Sequence, residues 1–195
     1  MNVLHKGSGT ACLMPVETSL LSRRQIFLEG EITTQSAAEL TRQILYLNQE
    51  DRDRPITLLI NSEGGEVKAG LLLYDVIRSS PAPVRLVCLE KAYSMAALLL
   101  SSGKHGRYIL PHASTMLHEP LLGNRIEGSS SSLKAISDAL LETKKSINRI
   151  LSANTGKTME EIDQATGYDH FLSAEESVAF GLCDGVIEFG QLLDD

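Results

Sequence analysis

Cysteine is scarce in this chain and poorly spaced for bridging or metal binding. The 195 residues include three, at positions 12, 88 and 183. The odd number argues against a disulfide framework, and no two lie at metal-ligand spacing. Cys88 falls in an apolar run and reads as a buried core thiol. This usage fits a reducing cytoplasm, the expected location. Long hydrophobic runs are missing as well. None approaches the ~20 residues of a membrane span. The N-terminus lacks the basic start and apolar core of a secretory leader. No membrane partner is therefore expected. Positive charge is also in short supply, with 18 Lys and Arg against 25 Asp and Glu, a formal net charge of −7. Basic residues pair only at Arg23-Arg24 and Lys144-Lys145, so no nucleic-acid surface is expected. Finally, no phosphate-cradling glycine loop ends in Gly-Lys-Ser or Gly-Lys-Thr, and the chain has no evident means of using ATP itself. No cofactor and no metal are expected.

What is present suits a soluble globular domain: 43% apolar and 22% charged residues. Residues 1–15 have no periodicity and read as a flexible N-terminal arm. The rest, 16–195, reads as a single domain, long enough for a sizeable core. Gln25 to Leu28 looks like a short strand. A helix capped at Thr33 or Thr34 runs to about Asn48, with Ala37, Leu40, Ile44 and Leu47 on one face. Ile56 to Ile60 is a continuous apolar run, the mark of a strand buried on both faces. Gly64-Gly65 is expected to break it before a helix over Val67 to Arg78. Val84 to Cys88 is a third strand, and Met95 to Ser102 the helix after it. This alternation predicts βαβ crossovers on a mainly parallel sheet. Short strands follow at Tyr108 to Leu110 and Thr115 to Leu117. Asn124 to Ser132, with four consecutive serines at its end, reads as a mobile loop. A long helix then carries Leu133, Ile136, Leu140, Ile147 and Ile150 along one stripe. Thr158 with Glu161, and Ser173 with Glu176, predict two capping boxes and two short helices.

One constellation suggests chemistry. Ser94 sits between an apolar strand and an apolar helix, where developing negative charge is stabilised. Taken alone it reads as an N-cap, and the company it keeps is what suggests otherwise. His118 follows the strand-like Thr115-Met116-Leu117 run and is a candidate base, or else a packed or surface histidine. Asp169, between the two short helices, is a candidate orienting carboxylate, or else a turn stabiliser. Asp163 and Asp184 compete for that role. Gly64-Gly65 can offer an N–H to a carbonyl oxygen or can simply make a turn. The Met95 N–H follows the serine at the helix start and is the second candidate donor. Together these groups match the needs of acyl transfer by serine: a nucleophile, a base, an orienter and oxyanion donors.

Four motifs then carry a family resemblance. They are Ile60-Asn61-Ser62-Glu63-Gly64-Gly65 after a buried strand, Tyr93-Ser94-Met95, and Met116-Leu117-His118-Glu119-Pro120. The fourth is Tyr168-Asp169 with Phe171, followed by Ser173-Ala174-Glu175-Glu176 and Gly181-Leu182-Cys183-Asp184. From about Leu20 to Val186 the chain resembles the proteolytic subunit of the Clp (caseinolytic) protease. The resemblance implies an α/β fold of repeated ββα turns like that of the crotonases, with a protruding helix-strand handle at about 122–156. It implies heptameric rings stacked as a tetradecamer around a chamber, and an AAA+ unfoldase ATPase as partner. It also implies unfolded polypeptide substrates, bound as an added strand beside the handle and the Gly64-Gly65 loop. Ser94 then corresponds to the nucleophile, His118 to the base and Asp169 to the orienting carboxylate. Gly65 and Met95 correspond to the oxyanion donors.

The chain also departs from the family pattern. Glu63 stands where the family has proline, removing a fixed φ and adding charge. Glu90-Lys91-Ala92-Tyr93 replaces Gly-Gln-Ala-Ala, and a tyrosine beside the nucleophile is expected to reshape or crowd the substrate side-chain pocket. Glu119 replaces glutamine next to the base. Tyr168 replaces an arginine used in ring-to-ring pairing. Thr57 and Leu59 replace tyrosines of the unfoldase-docking pocket. These departures motivate a second expectation, a non-catalytic or regulatory ring subunit partnering a typical paralogue. A third, an acyl-CoA enzyme of crotonase type, leaves the ordered Ser, His and Asp unexplained.

Overall fold

The computed structural model describes residues 1–6, 11–121 and 128–192. Two short strands, β1 (Asn2–Lys6) and β2 (Ala11–Pro15), pair antiparallel with Asn2 opposite Pro15. The segment expected to lack periodicity thus contains two paired strands. Its Leu4 and Leu13 face each other across the pair and are both exposed. Helix α1 (Val16–Ser22) leads into β3 (Gln25–Ile32), and α2 (Thr34–Glu50) follows. The α2 cap is Thr33, whose hydroxyl accepts from the Ser36 N–H. Strand β4 (Ile56–Gly65), helix α3 (Val67–Ser79), strand β5 (Val84–Tyr93) and helix α4 (Met95–Ser101) complete the alternation. Then come β6 (Arg107–Ile109), β7 (Ser114–Leu117), α5 (Ser130–Thr155), α6 (Met159–Thr166), β8 (His170–Leu172), α7 (Ala174–Phe180) and β9 (Gly185–Val186).

Among the described residues the main sheet runs β3-β4-β5-β6-β9, with every pair on that path parallel. It forks at β5. The first half of β5 pairs with β6, Leu86 to Cys88 opposite Arg107 to Ile109. The second half pairs with β7, Lys91 to Tyr93 opposite Ser114 to Met116. β7 in turn pairs antiparallel with β8. The expected α/β fold with a mainly parallel sheet is present. Three strands, β3, β4 and β5, run further than their apolar runs suggest. β4 passes through Ser62 and Glu63 to include both glycines, after a register shift against each neighbour. Gly64 and Gly65 therefore end the strand without interrupting it.

The core is built from the apolar residues of β3, β4 and β5 against α2, α3 and α4. Every residue of α4 is buried, so this helix runs through the interior. Gly70 of α3 packs closely on it, since a Cβ there would fall 3.3 Å from Met95 Cβ. Helix α5 behaves differently along its length. Ile147 and Leu151 are buried, but Leu133 and Leu141 remain 43% and 53% exposed. The apolar stripe touches the core only in the second half, and the first turns project beyond it. The serines end as a cap and first turn: the Ser129 hydroxyl accepts from the Ser132 N–H, and the helix starts at Ser130. The start of the expected mobile segment and of the handle, 122–127, lies outside the described residues. Both capping boxes form, at Thr158–Glu161 and Ser173–Glu176.

Candidate active site

The site lies at the C-terminal ends of β5 and β7, the usual position for a ligand crevice in a parallel sheet. β5 ends at Tyr93, the chain turns at Ser94, and α4 begins at Met95. The turn is sharp. Ser94 takes φ +55° and ψ −121°, and only Arg24 shares a positive φ among the described non-glycine residues. Such a conformation costs on the order of 1–3 kcal/mol and persists only where the surroundings impose it. Here the Ser94 N–H donates to Met116 O at 2.7 Å, and Ser94 O accepts from Ala97 and Leu98 at the start of α4. The hydroxyl caps nothing. It lies 2.8 Å from His118 Nε2. The N-cap alternative for Ser94 therefore does not apply.

His118 is carried in by the pairing of β5 with β7. Tyr93 opposes Met116, so the residues just past both strand ends are neighbours. The antiparallel pairing of β7 with β8 sets Leu117 opposite His170. Continuing that register by one residue sets Asp169 opposite His118. The side chains do not meet, however. Asp169 is exposed, and His118 Nδ1 is buried with no hydrogen-bond partner. The two competing carboxylates are engaged elsewhere. Asp163 binds Lys144 at 2.9 Å and accepts from Asn148. Asp184 accepts from the backbone N–H and the guanidinium of Arg107.

Gly64 lies against the back of the turn. A Cβ there would fall 2.6 Å from Tyr93 O and 2.8 Å from Ser94 Cβ. A Cβ at Gly65 would fall 2.2 Å from Ile32 O. Both glycines have positive φ, 90° and 151°. Close approach and backbone geometry thus require glycine twice. Met95 is the first residue of α4, and its N–H is one of the helix-end donors without an intrahelical acceptor. A small pocket adjoins Ser94 and His118, lined by Val67, Leu98, Leu117, Pro120, Ile147 and Leu151. It leaves about 20 Å³ of free space, room for one water.

Tyr93 does not line this pocket. Its hydroxyl bonds Ser114 Oγ at 2.9 Å, and its ring packs edge-on against Phe171 at 5.5 Å. The side chain thus braces β7 and β8. Glu119 is likewise occupied, by Lys144 at 3.0 Å. Cys88 and Cys183 are free and buried, and burial pushes both thiols up, Cys183 to about 12. Neither is a nucleophile at neutral pH. Among the described residues no group of three His, Cys, Asp or Glu is arranged to hold a metal ion. Nor is any helix there long and apolar enough to cross a membrane.

Sequence reasoning assigns Ser62 and Lys91 no role beyond their motifs and makes Lys144 solvated surface, whereas Lys144 is paired with Glu119 and Asp163. Strand alternation, with Ser62 inward and Glu63 outward, is the only signal that bears on the first. The two lysines act across elements and leave no local trace. A sequence model described as Clp protease matches residues 8–189 of the 195.

Proposed function

The chain belongs to the Clp protease family, a family of serine peptidases, and from that premise we propose that Ser94, His118 and Asp169 hydrolyse peptide bonds of unfolded polypeptides. The observation that carries this reading is the 2.8 Å contact between Ser94 Oγ and His118 Nε2 at a strained turn. His118 takes the hydroxyl proton as Ser94 Oγ attacks the substrate carbonyl carbon. The Gly65 and Met95 N–H groups hold the oxyanion. His118 then protonates the leaving amine, and the acyl-serine remains. Water attacks that ester with His118 again as base, and the acid product leaves. Asp169 accepts a hydrogen bond from His118 Nδ1–H, fixing the tautomer and stabilising the imidazolium while itself staying ionised. The β7–β8 register supports its assignment, since Asp169 is the next residue in line opposite His118. Gly64 and Gly65 form the edge beside which the substrate strand lies.

The wider setting is the family's. Subunits associate into heptameric rings, stacked as a tetradecamer around a chamber, in the cytoplasm. An AAA+ unfoldase supplies ATP-driven unfolding, and this chain needs no cofactor of its own. Replacing Ser94 by alanine is expected to abolish both peptide hydrolysis and labelling by a serine-directed phosphonate. Full labelling of that variant would refute the assignment. One observation favours a second reading, a regulatory ring subunit that needs a typical paralogue: the unpartnered Nδ1 of His118 in the single chain. Robust turnover of unstructured peptide by this protein alone would exclude a purely scaffolding role.

A further inference from the structure

Three successive residues before the glycines each send a side chain into a neighbouring strand. Asn61 Nδ2 donates to Glu90 Oε2 on β5 at 3.0 Å. The Ser62 hydroxyl, fully buried, donates to Gly30 O on β3 and accepts from the Gly64 N–H at 3.0 Å. Glu63 Oε1 meets Lys91 Nζ on β5 at 2.7 Å. These tethers fall where β4 shifts register against both neighbours, between Ile60 and Ser62 on one side and Glu29 and Glu31 on the other. The ladder shifts there and resumes at Ser62 opposite Ala92 and at Gly64 opposite Glu31, and these side chains span the shifted stretch. Beyond them lie Gly64, in contact with the Ser94 turn, and Gly65.

We propose that the Glu63–Lys91 ion pair is a positioning device for the proposed hydrolysis, locking the Gly64-Gly65 loop to the strand that delivers Ser94. Lys91 lies on β5 three residues before Ser94, and Ser62 is in register with Ala92 beside it. The pair therefore joins the loop that donates to the oxyanion directly to the strand of the nucleophile. Glu63 brings no fixed φ to the loop, and glycines at 64 and 65 add freedom. A side-chain contact supplies the restraint in their place. The Lys91 contact also holds the Glu63 carboxyl below the usual range and the Lys91 ammonium above it. The pair is thus ionised throughout the neutral range. Neither residue touches the reacting atoms, so both act through the backbone between them and Gly65.

This inference rests on the peptidase reading, and its test separates the two. Lys91→Gln and Glu63→Gln are each expected to lower kcat on a short peptide about 3- to 10-fold with KM within about twofold, because oxyanion donors act on the transition state. The double variant Glu63→Gln with Lys91→Gln is expected to be no worse than either single one. The charge-reversed Glu63→Lys with Lys91→Glu is expected to recover most of the lost turnover. Phosphonate labelling of Ser94 in wild type reports on the peptidase reading by itself. Amide hydrogen exchange over residues 62–66 reports on the clamp by itself and is expected to quicken in Lys91→Gln. Wild-type kcat together with unchanged exchange in Lys91→Gln would overturn the clamp, whatever the labelling shows. Additive losses in the double variant, or no recovery on charge reversal, would also overturn it.

Discussion

At the residue scale, the informative feature is a serine holding a conformation that serine dislikes. Ser94 at φ +55° neither caps its helix nor faces solvent alone; its hydroxyl meets an imidazole. Strain of this kind predicts a separation of stability from activity. Ser94→Gly relaxes the positive φ, and it is expected to raise stability by about 0.5–1 kcal/mol while leaving no turnover. Urea unfolding at neutral pH, beside a peptide assay, measures both. A variant less stable than wild type would show that the turn is not strained. Arg24 is the other non-glycine residue at positive φ. It is buried and donates to the carbonyls of Leu47, Asp51 and Pro55. Its conformation serves packing between β3 and the end of α2, so positive φ alone does not identify a site.

At the element scale, local chemistry sets the helix starts. Thr158 and Glu161 exchange hydrogen bonds at the head of α6, as Ser173 and Glu176 do at α7. The Thr158 N–H, then its hydroxyl, holds the Glu161 carboxyl below the usual glutamate range. A carboxyl depressed in the folded state contributes stability above its unfolded value, and the contribution is lost as pH falls through the folded one. Wild type is therefore expected to exceed Glu161→Ala in urea midpoint at pH 7. The gap should shrink as pH drops below about 4.3, the ordinary glutamate value. A gap that widens on acidification would contradict the cap's electrostatic part. The same local rules explain why α5 begins within the serine run. Ser129 caps the helix, and the serines after it form an exposed first turn that costs little.

At the scale of the whole molecule, the single chain leaves work undone. His118 Nδ1 lacks a partner and Asp169 is exposed, flanked by Tyr168 at 64% exposure and Phe171 at 57%. The projecting half of α5 carries Leu133 and Leu141 uncovered. These surfaces fit a protein whose site is completed on assembly. Asp169→Asn is expected to lower kcat on the order of a thousandfold to ten-thousandfold with little change in KM, the signature of a lost tautomer restraint. Native mass measurement with and without peptide is expected to show ring-sized species, with turnover following their abundance. Full activity in a monomeric fraction would contradict dependence on assembly.

Alternation of apolar runs and capping signals was enough to read the strand–helix alternation from β3 to α4, the mainly parallel sheet and the capped starts of α6 and α7, but not the β1–β2 pair, α1, β8 or β9. These depend on periodicity and on contacts within a few residues. Motif order was enough to suggest which serine, histidine and aspartate belong together. The conformation of Ser94, the 2.8 Å contact with His118 and the engagement of Asp163 and Asp184 elsewhere were decided only by the fold. So was the contact of Glu63 with Lys91, two departures from the family pattern that turn out to face each other. Each joins residues on different strands or helices. Which side chains meet across a sheet depends on register, and register is set by the packing of the whole core.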